Sequence, residues 1–584
     1  MSTRSILAFA LVAGTTLFAQ SLKPGLSLIP ATVDNVEIYP RPVELEAGGK
    51  ALQSFFKGAP SFIALEPKVG LSPKELGPGV VFVADFPAPK PAPDAKVGQK
   101  AAPTPFLAVL PTLRGKGLLR RLKAKEVKGV WSYALPADSG GKAEWRFAIL
   151  KPGFLVVASD RKALESALGA KETLAGEVDA TLENWLLSHD TADLWSAQST
   201  RSGLAGLVAE FDKPRTGAQA AFASAAPRIR GLAAKAQASI LHVALGIDLP
   251  VNGSVRVAAR AFYRPGSPLA QDAAALAPLG AHPLANLPQD PFALAFGGQW
   301  PEVFAFFASD PDVALAAYKG HPLPEDLKAR FIAAMKAQAD QVQSMAMLIA
   351  PPSKAGESLL HGAVSVLRVK DAAAYQAAQE RVTALQAEMA EAAGLQAYTS
   401  MEKDVLPGTP SFTLTTDLEK APGAQDRDPQ ASMVFGFLFD GTVVRQSYGQ
   451  LDPHTWLSVF GSGEDLNWAL LRAKQADPLP GAPLLKREDE LLPPGSRFSL
   501  YLDLKGLRDM AQMVVTTMGK GQEQLPVVPH VPPFGLACLC DAGGFEIRGG
   551  VQPETMKALH DFFEKMPVLM PQPQTHPQEP GTTE

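Results

Sequence analysis

The residues of this chain best suited to covalent or metal chemistry are two cysteines, one serine held between glycines, and nine histidines. The cysteines stand two apart in Phe534-Gly-Leu-Ala-Cys538-Leu-Cys540-Asp541. On a strand, side chains two apart point to the same face, so both sulfurs lie together, and a disulfide between such neighbours would be strained. Two small apolar residues in a buried strand is the leading reading. A strained or intermolecular disulfide, or a soft-metal site completed by His530 or a nearby methionine, are the alternatives. The serine, in Gly461-Ser462-Gly463-Glu464-Asp465, sits between a strand-like and a helix-like run, where a tight turn can expose a nucleophile. The same residues spell a helix cap, because Asp465 follows Ser462 by three places and the mostly apolar run Leu466 to Leu471 comes next. Ser159-Asp160 ahead of Leu164 repeats the arrangement, and caps recur with a fold where catalytic serines rarely would. The cap reading is preferred, and no catalytic, cofactor-binding or metal-ligating residue is assigned.

Other chemistries find less support. The histidines are scattered singly from His189 to His576, with no HExxH or HxxxH spacing for a zinc helix. Met518-Gly519-Lys520-Gly521 lacks the glycine spacing of a phosphate loop, and no Gly-x-Gly-x-x-Gly follows a strand, so no nucleotide cofactor is expected. Acidic residues number 59, but spacing alone shows no two of them converging on one substrate. One charge cluster stands out. Arg114 to Lys128 holds seven basic residues against the single acid Glu126, with Leu118, Leu119 and Leu122 as an apolar edge. It reads first as a solvated helix face, and second as a peripheral contact with an anionic membrane or an acidic partner.

These residues must be positioned by a long chain. At 584 residues it exceeds what one hydrophobic core sustains, so at least two domains are expected. With 46% apolar and 20% charged residues and a net charge of -4, it has an ordinary globular mixture and no basic field to bind nucleic acid. Residues 1–19 have a signal-peptide layout: Arg4, then an apolar run from Ile6, with Leu17 and Ala19 at the positions a signal peptidase reads. No cysteine follows to carry a lipid, and no later run is long enough to span a bilayer. An exported protein, periplasmic or extracellular after cleavage, is the expectation, with an uncleaved anchor as the alternative.

Its organisation is a loose internal duplication. Val157-Ala-Ser159-Asp160 ahead of Leu164 recurs as Val459-Phe-Gly461-Ser462 ahead of Leu466, and Ser196, Gly203 and Leu204 recur as Ser499, Gly506 and Leu507. Near-equal shifts over separate segments predict two related lobes, α+β in class, each a mainly antiparallel sheet with helices packed on one face. The first lobe spans 20–280 and contains a mobile segment rich in proline, alanine and lysine over 87–105. Trp145 to Ile149 and Phe154 to Val157 form a hairpin about Pro152-Gly153. The second lobe spans 290–566, with a similar hairpin from Met433 to Val444 about Asp440-Gly441. It adds two long helices, Glu325 to Ile349 and Ala372 to Ala393, whose methionines fall on core stripes rather than marking a copper site. Linkers are expected at Gly280 to Gln289 and at Asp477 to Ser496, and a disordered proline-rich tail at 567–584.

On Ile29 to Ile38, Gly153 to Leu164, and Trp195 to Leu204 with its repeat at Phe498 to Leu507, the chain resembles a group of large exported bacterial proteins of unknown function built from duplicated strand-helix modules. The resemblance implies fold and export and brings no catalytic residue. The leading expectation is an exported, non-enzymatic scaffold or binding protein, with a cleft between lobes for an envelope protein, a polymer or an apolar ligand. A hydrolase with dispersed catalytic residues and a carrier of an apolar ligand are the alternatives.

Overall fold

Short runs rich in valine, leucine, isoleucine and phenylalanine, punctuated by proline and glycine turns, favour strands. In the computed structural model of the chain they pair as antiparallel sheet. The structure describes residues 21–55, 68–87, 104–135, 143–188, 192–196, 226–249, 253–276, 282, 284–285, 287–299, 315, 318, 320–352, 354, 357–421, 436–439, 441–475, 477–492, 495–517 and 524–566. The leader at 1–19, all but the ends of 87–105, residues 197–204 of the repeat and the tail at 567–584 lie outside the described residues. The chain divides into two compact units, Met1–Pro278 with Cys538–Gly550, and Leu279–Ala537 with Val551–Glu584. Among the described residues no helix is long and apolar enough to cross a membrane.

Strands in chain order are β1 (Asn35–Tyr39), β2 (Val81–Asp85), β3 (Phe106–Pro111), β4 (Lys125–Val127), β5 (Val130–Leu135), β6 (Glu144–Lys151), β7 (Phe154–Ala158), β8 (Ala192–Ser196), β9 (Ile240–Asp248) and β10 (Val255–Tyr263). Then come β11 (Leu294–Gly298), β12 (Val342–Ile349), β13 (Val364–Val369), β14 (Thr399–Lys403), β15 (Ser411–Asp417), β16 (Val443–Asp452), β17 (Thr455–Phe460), β18 (Phe498–Leu502), β19 (Phe534–Asp541) and β20 (Gly544–Val551). The first unit pairs them β4-β5-β6-β7-β3-β2-β1-β8-β9-β10, always antiparallel. The second pairs them β14-β15-β16-β17-β13-β12-β11-β18, again always antiparallel. Adding ten to each label of the first order, up to β8, gives the second. Two isolated bridges follow the same rule, Pro30 with Thr173 and Pro288 with Pro478.

The closing hairpin breaks the symmetry. β10 pairs with β20, and β20 with β19. The sequence reading gives residues up to 566 to the second lobe, whereas Cys538–Gly550 groups with the first unit. Backbone chemistry is the reason: the free edge of β10 takes it up, with the Tyr263 N–H donating to the Gly543 carbonyl at 3.0 Å. Gly544 permits the approach, since a Cβ there would stand 2.3 Å from the Ala261 carbonyl oxygen.

Helices in chain order are α1 (Lys23–Leu26), α2 (Pro42–Phe55), α3 (Gly115–Arg121), α4 (Arg161–Gly169), α5 (Ala180–Ser188), α6 (Ala226–Ser239) and α7 (Pro268–Ala275), then α8 (Glu325–Ala339), α9 (Ala372–Ala392), α10 (Gly463–Gln475), α11 (Pro483–Asp489), α12 (Leu504–Thr517) and α13 (Pro553–Glu564). In the first unit Ile38, Phe82, Val109 and Val156 pack with Leu26, Leu164, Leu182 and Leu186. The alternate residues Tyr39, Val81, Ala108 and Val157 meet Leu45 and Leu119 on the other face. Two-sided burial explains why β2, β3 and β7 are nearly continuous apolar runs, and each aliphatic side chain so buried contributes about 1.5–3 kcal/mol. In the second unit Ala346, Leu348, Val366, Leu457, Leu466, Leu470 and Leu485 form the main cluster, while α8 and α9 pack through Leu327, Phe331, Val382, Leu385 and Met389.

Three local expectations are corrected. The helix over Glu325 to Ile349 ends at Ala339; Val342–Ile349 is β12, buried at every second residue, so Met345 lies on a strand. The asymmetry of its pattern is the cause, since a period of two fits Val342, Ser344, Ala346 and Leu348 better than 3.6 does. The hairpin expected over Met433 to Val444, of which 433–435 and 440 lie outside the described residues, is not seen: residues 436–439 are helical, and β16 takes β15 as its partner, Asp417 facing Val443. Asp477 to Ser496 is not a linker, because Leu479, Leu485 and Leu492 anchor it in the core and its charged run lies on α11. The Pro152-Gly153 turn does join β6 to β7, Lys151 facing Phe154 and Gly153 at φ 77°.

Candidate functional site

Within the first unit, Asp179 caps α5 by accepting the Leu182 N–H at 2.8 Å, and Leu182, Trp185 and Leu186 then fall on the buried face. His242 on β9 faces Phe262 on β10, where the register shifts by a residue before Tyr263. Gly266, at φ 71°, turns the chain into α7, whose cap is Ser267. These elements line a half-open pocket of about 460 Å3, with Leu182, Phe262 and Ala270 buried at its base and Leu241, Pro265 and Ala274 toward its mouth. Its polar lining is sparse: Asp179 and Gln271 are bound to backbone, Thr181 and Tyr263 are at hand, and His242 is 3% exposed. Burial, and then the Cys540 thiol beside it, push the Tyr263 phenol well above its ordinary range, so it stays a neutral hydroxyl.

Behind this cavity Glu546, only 2% exposed, is neutralised by its surroundings. The Arg260 guanidinium donates to it at 2.9 Å and the Trp185 indole at 3.2 Å, and Arg548 pairs with its other oxygen. Arg260 also lies 5.3 Å over the Phe262 ring, which meets Trp185 edge-on at 5.7 Å. The charges are consumed by one another. What remains is a mostly apolar, half-open pocket suited to holding a ligand.

In the second unit a cavity of about 300 Å3 is bounded by Leu360, His361, Phe439, Arg445, Phe460, Ser462 and Asp465. It contains the one serine weighed as a nucleophile. Ser462 donates its hydroxyl to Asp465 at 2.8 Å and receives the Asp465 N–H at 3.4 Å, while Asp465 accepts the Ser462 N–H at 2.7 Å. That is the reciprocal pattern of a capping box. Gly461, at φ 153°, leaves room for it, since a Cβ would stand 2.5 Å from the Asp465 carboxylate. His361 faces Glu357 at 3.5 Å. Ser159-Asp160 is a cap as well, Asp160 accepting the Ala163 N–H at 2.8 Å.

A third cluster was hidden in the stretch read as a linker. Glu488 of α11 is 0% exposed; its Oε1 accepts the Gly535 N–H at 3.2 Å and its Oε2 has no hydrogen-bond partner among the described residues. Burial pushes its pKa up to about 8, against the Gly535 N–H and with help from Asp489. Burial also raises Asp489, opposed by the Tyr501 hydroxyl that donates to it and by His282. Burial lowers His282, with Asp489 opposing. The sequence signal was the leucine spacing Leu479, Leu485 and Leu492, which marks a packed segment.

The cysteines are both free thiols. Cys538 is buried, which pushes its pKa up to about 11, and Cys540 is half-buried. Among the described residues no group of three or more His, Cys, Asp or Glu could hold a metal ion. The basic segment divides into α3 and the β4–β5 hairpin, whose Lys128-Gly129 turn has φ of 53° and 80°. Leu119 is wholly buried, and Leu118 and Leu122 pack against the same core.

No family model matches the chain, and no curated protein matches it. Two solved structures, crystal forms I and IV of TP0453, share 13% and 11% identity with it. Each aligns with 41% of this chain, covering 76% and 80% of its own, at TM-scores of 0.21 and 0.20. That likeness carries no argument about fold or function.

Proposed function

We propose that the protein is an exported, non-enzymatic binding protein that holds a small apolar or amphipathic ligand in the first-unit cavity. The observation that carries the reading is the half-open, mostly apolar pocket of about 460 Å3 among Leu182, Leu241, Phe262, Pro265, Ala270 and Ala274, a volume in the range of small-molecule pockets. The self-neutralised charges around Glu546 fit a site that selects by shape and apolar contact. The leader-like residues 1–19 support export. The test is titration of the mature protein with a dansyl-labelled fatty acid, followed by native mass spectrometry. Saturable one-to-one binding is expected, weakened at least about tenfold by Ala274→Trp at the cavity rim and by Ala270→Leu on its wall. Binding that both substitutions leave unchanged, or no binding of the probe, would sink the proposal.

A further inference from the structure

We propose that α11 is a proton-operated latch within the second unit: with Glu488 protonated the helix stays seated against the start of β19, and with Glu488 ionised it loosens. The inference does not depend on the first-unit cavity. Its ground is the seat itself. Glu488 is 0% exposed, and among the described residues one carboxyl oxygen has only the Gly535 N–H and the other has no hydrogen-bond partner. The fit is close, since a Cβ on Gly535 would stand 2.7 Å from Glu488 Cγ and 2.9 Å from a methyl of Leu492.

The charged and titratable groups around the carboxyl do not compensate a negative charge. On α11 itself, Arg487 is taken by Glu554 of α13 at 2.8 Å, Lys486 is exposed, and Asp489 is another acid. From β18, Tyr501 gives its hydroxyl to Asp489. His282 lies beside Asp489, and its N–H-free Nδ1 accepts the Leu284 N–H at 3.1 Å. From β19 comes only backbone. Among the described residues Glu488 forms no ion pair, so ionising it in place strands a buried charge, a cost the chain can avoid by letting water in.

The direction in pH follows from where the proton binds more tightly. Glu488 in the folded unit holds its proton up to about pH 8, above the ordinary carboxylic range. Its contribution is therefore fully present below that ordinary range and is lost as pH rises through about 8. Asp489, also raised, acts in the same sense. His282 is lowered and acts in the opposite sense, weakening the folded unit only as pH falls below the ordinary histidine range.

Hydrogen–deuterium exchange of the full mature chain, followed by mass spectrometry between about pH 4 and about pH 9, tests the latch. The Leu491 N–H, bonded to the Glu488 carbonyl, and the Gly535 N–H report on it. Wild type is compared with Glu488→Gln at each pH, which cancels the chemical rate. The expected result is that peptides over 483–492 exchange at least about tenfold faster in wild type than in the variant at the upper pH, and equally at the lower. A ratio that stays constant overturns the proposal. Should Glu488→Gln fail to fold by circular dichroism, wild type alone decides. Protection of 483–492 must then fall with pH relative to α4, and parallel behaviour of the two helices overturns it.

Discussion

Glu546 in the first unit and Glu488 in the second are both buried, at 2% and 0% exposure, yet their surroundings differ in kind. Glu546 meets two guanidiniums and an indole N–H, so every oxygen has a charged or polar donor. Glu488 meets one backbone N–H, with Leu492 packed at the same glycine, and keeps its proton up to about pH 8. Burial alone therefore does not set what a carboxyl can do. A buried acid with cations around it is part of the frame, and one without them is a titrating group.

The largest break in this contrast should come from Arg260→Ala, which leaves Glu546 with half its compensation. A loss of about 3 kcal/mol in urea unfolding is expected, and a loss within about 0.5 kcal/mol of zero would put the two acids on the same footing. Next comes Glu488→Gln. It should raise stability by about 2 kcal/mol at pH 8 and change little at pH 5, because only at the higher pH does wild type bear the penalty of a displaced proton affinity. A gain that is equal at both pH values would show that packing, not ionisation, is responsible. The smallest effect compares the two caps. Asp160→Ala and Ser462→Ala should each cost about 1 kcal/mol in their own units. If Ser462→Ala left stability untouched while abolishing an esterase activity, the cap reading of that serine would be wrong.

Much of the frame was legible in the residues. Pro152-Gly153 announced its hairpin, Asp160 and Ser462 announced their helices, and Tyr375, Val382, Leu385 and Met389 announced the buried stripe of α9. The errors have a common cause. Phe435, Phe437 and Phe439 alternate as a strand does, but β15 lay better placed to pair with β16. Pro478, Pro480 and Pro483 looked like a linker, yet proline is favoured at the first turn of a helix and α11 starts at one of them. The sites were less legible still. His242 and Phe262 are twenty residues apart and meet Gly543 only because the last hairpin joins β10.

By itself, then, the amino-acid order determined the local grammar: which runs are strands, where helices are capped, and that one strand-helix pattern is written twice. Those are effects of near neighbours, carried by side-chain spacing, capping hydrogen bonds and turn geometry. Only the tertiary structure decided that β20 completes the first unit, that Leu182, Phe262 and Ala270 line a pocket, and that among the described residues Glu488 has no cation beside it while Glu546 has two. Desolvation and charge compensation depend on everything within a few ångströms of a group, and the chain brings those neighbours from hundreds of residues away.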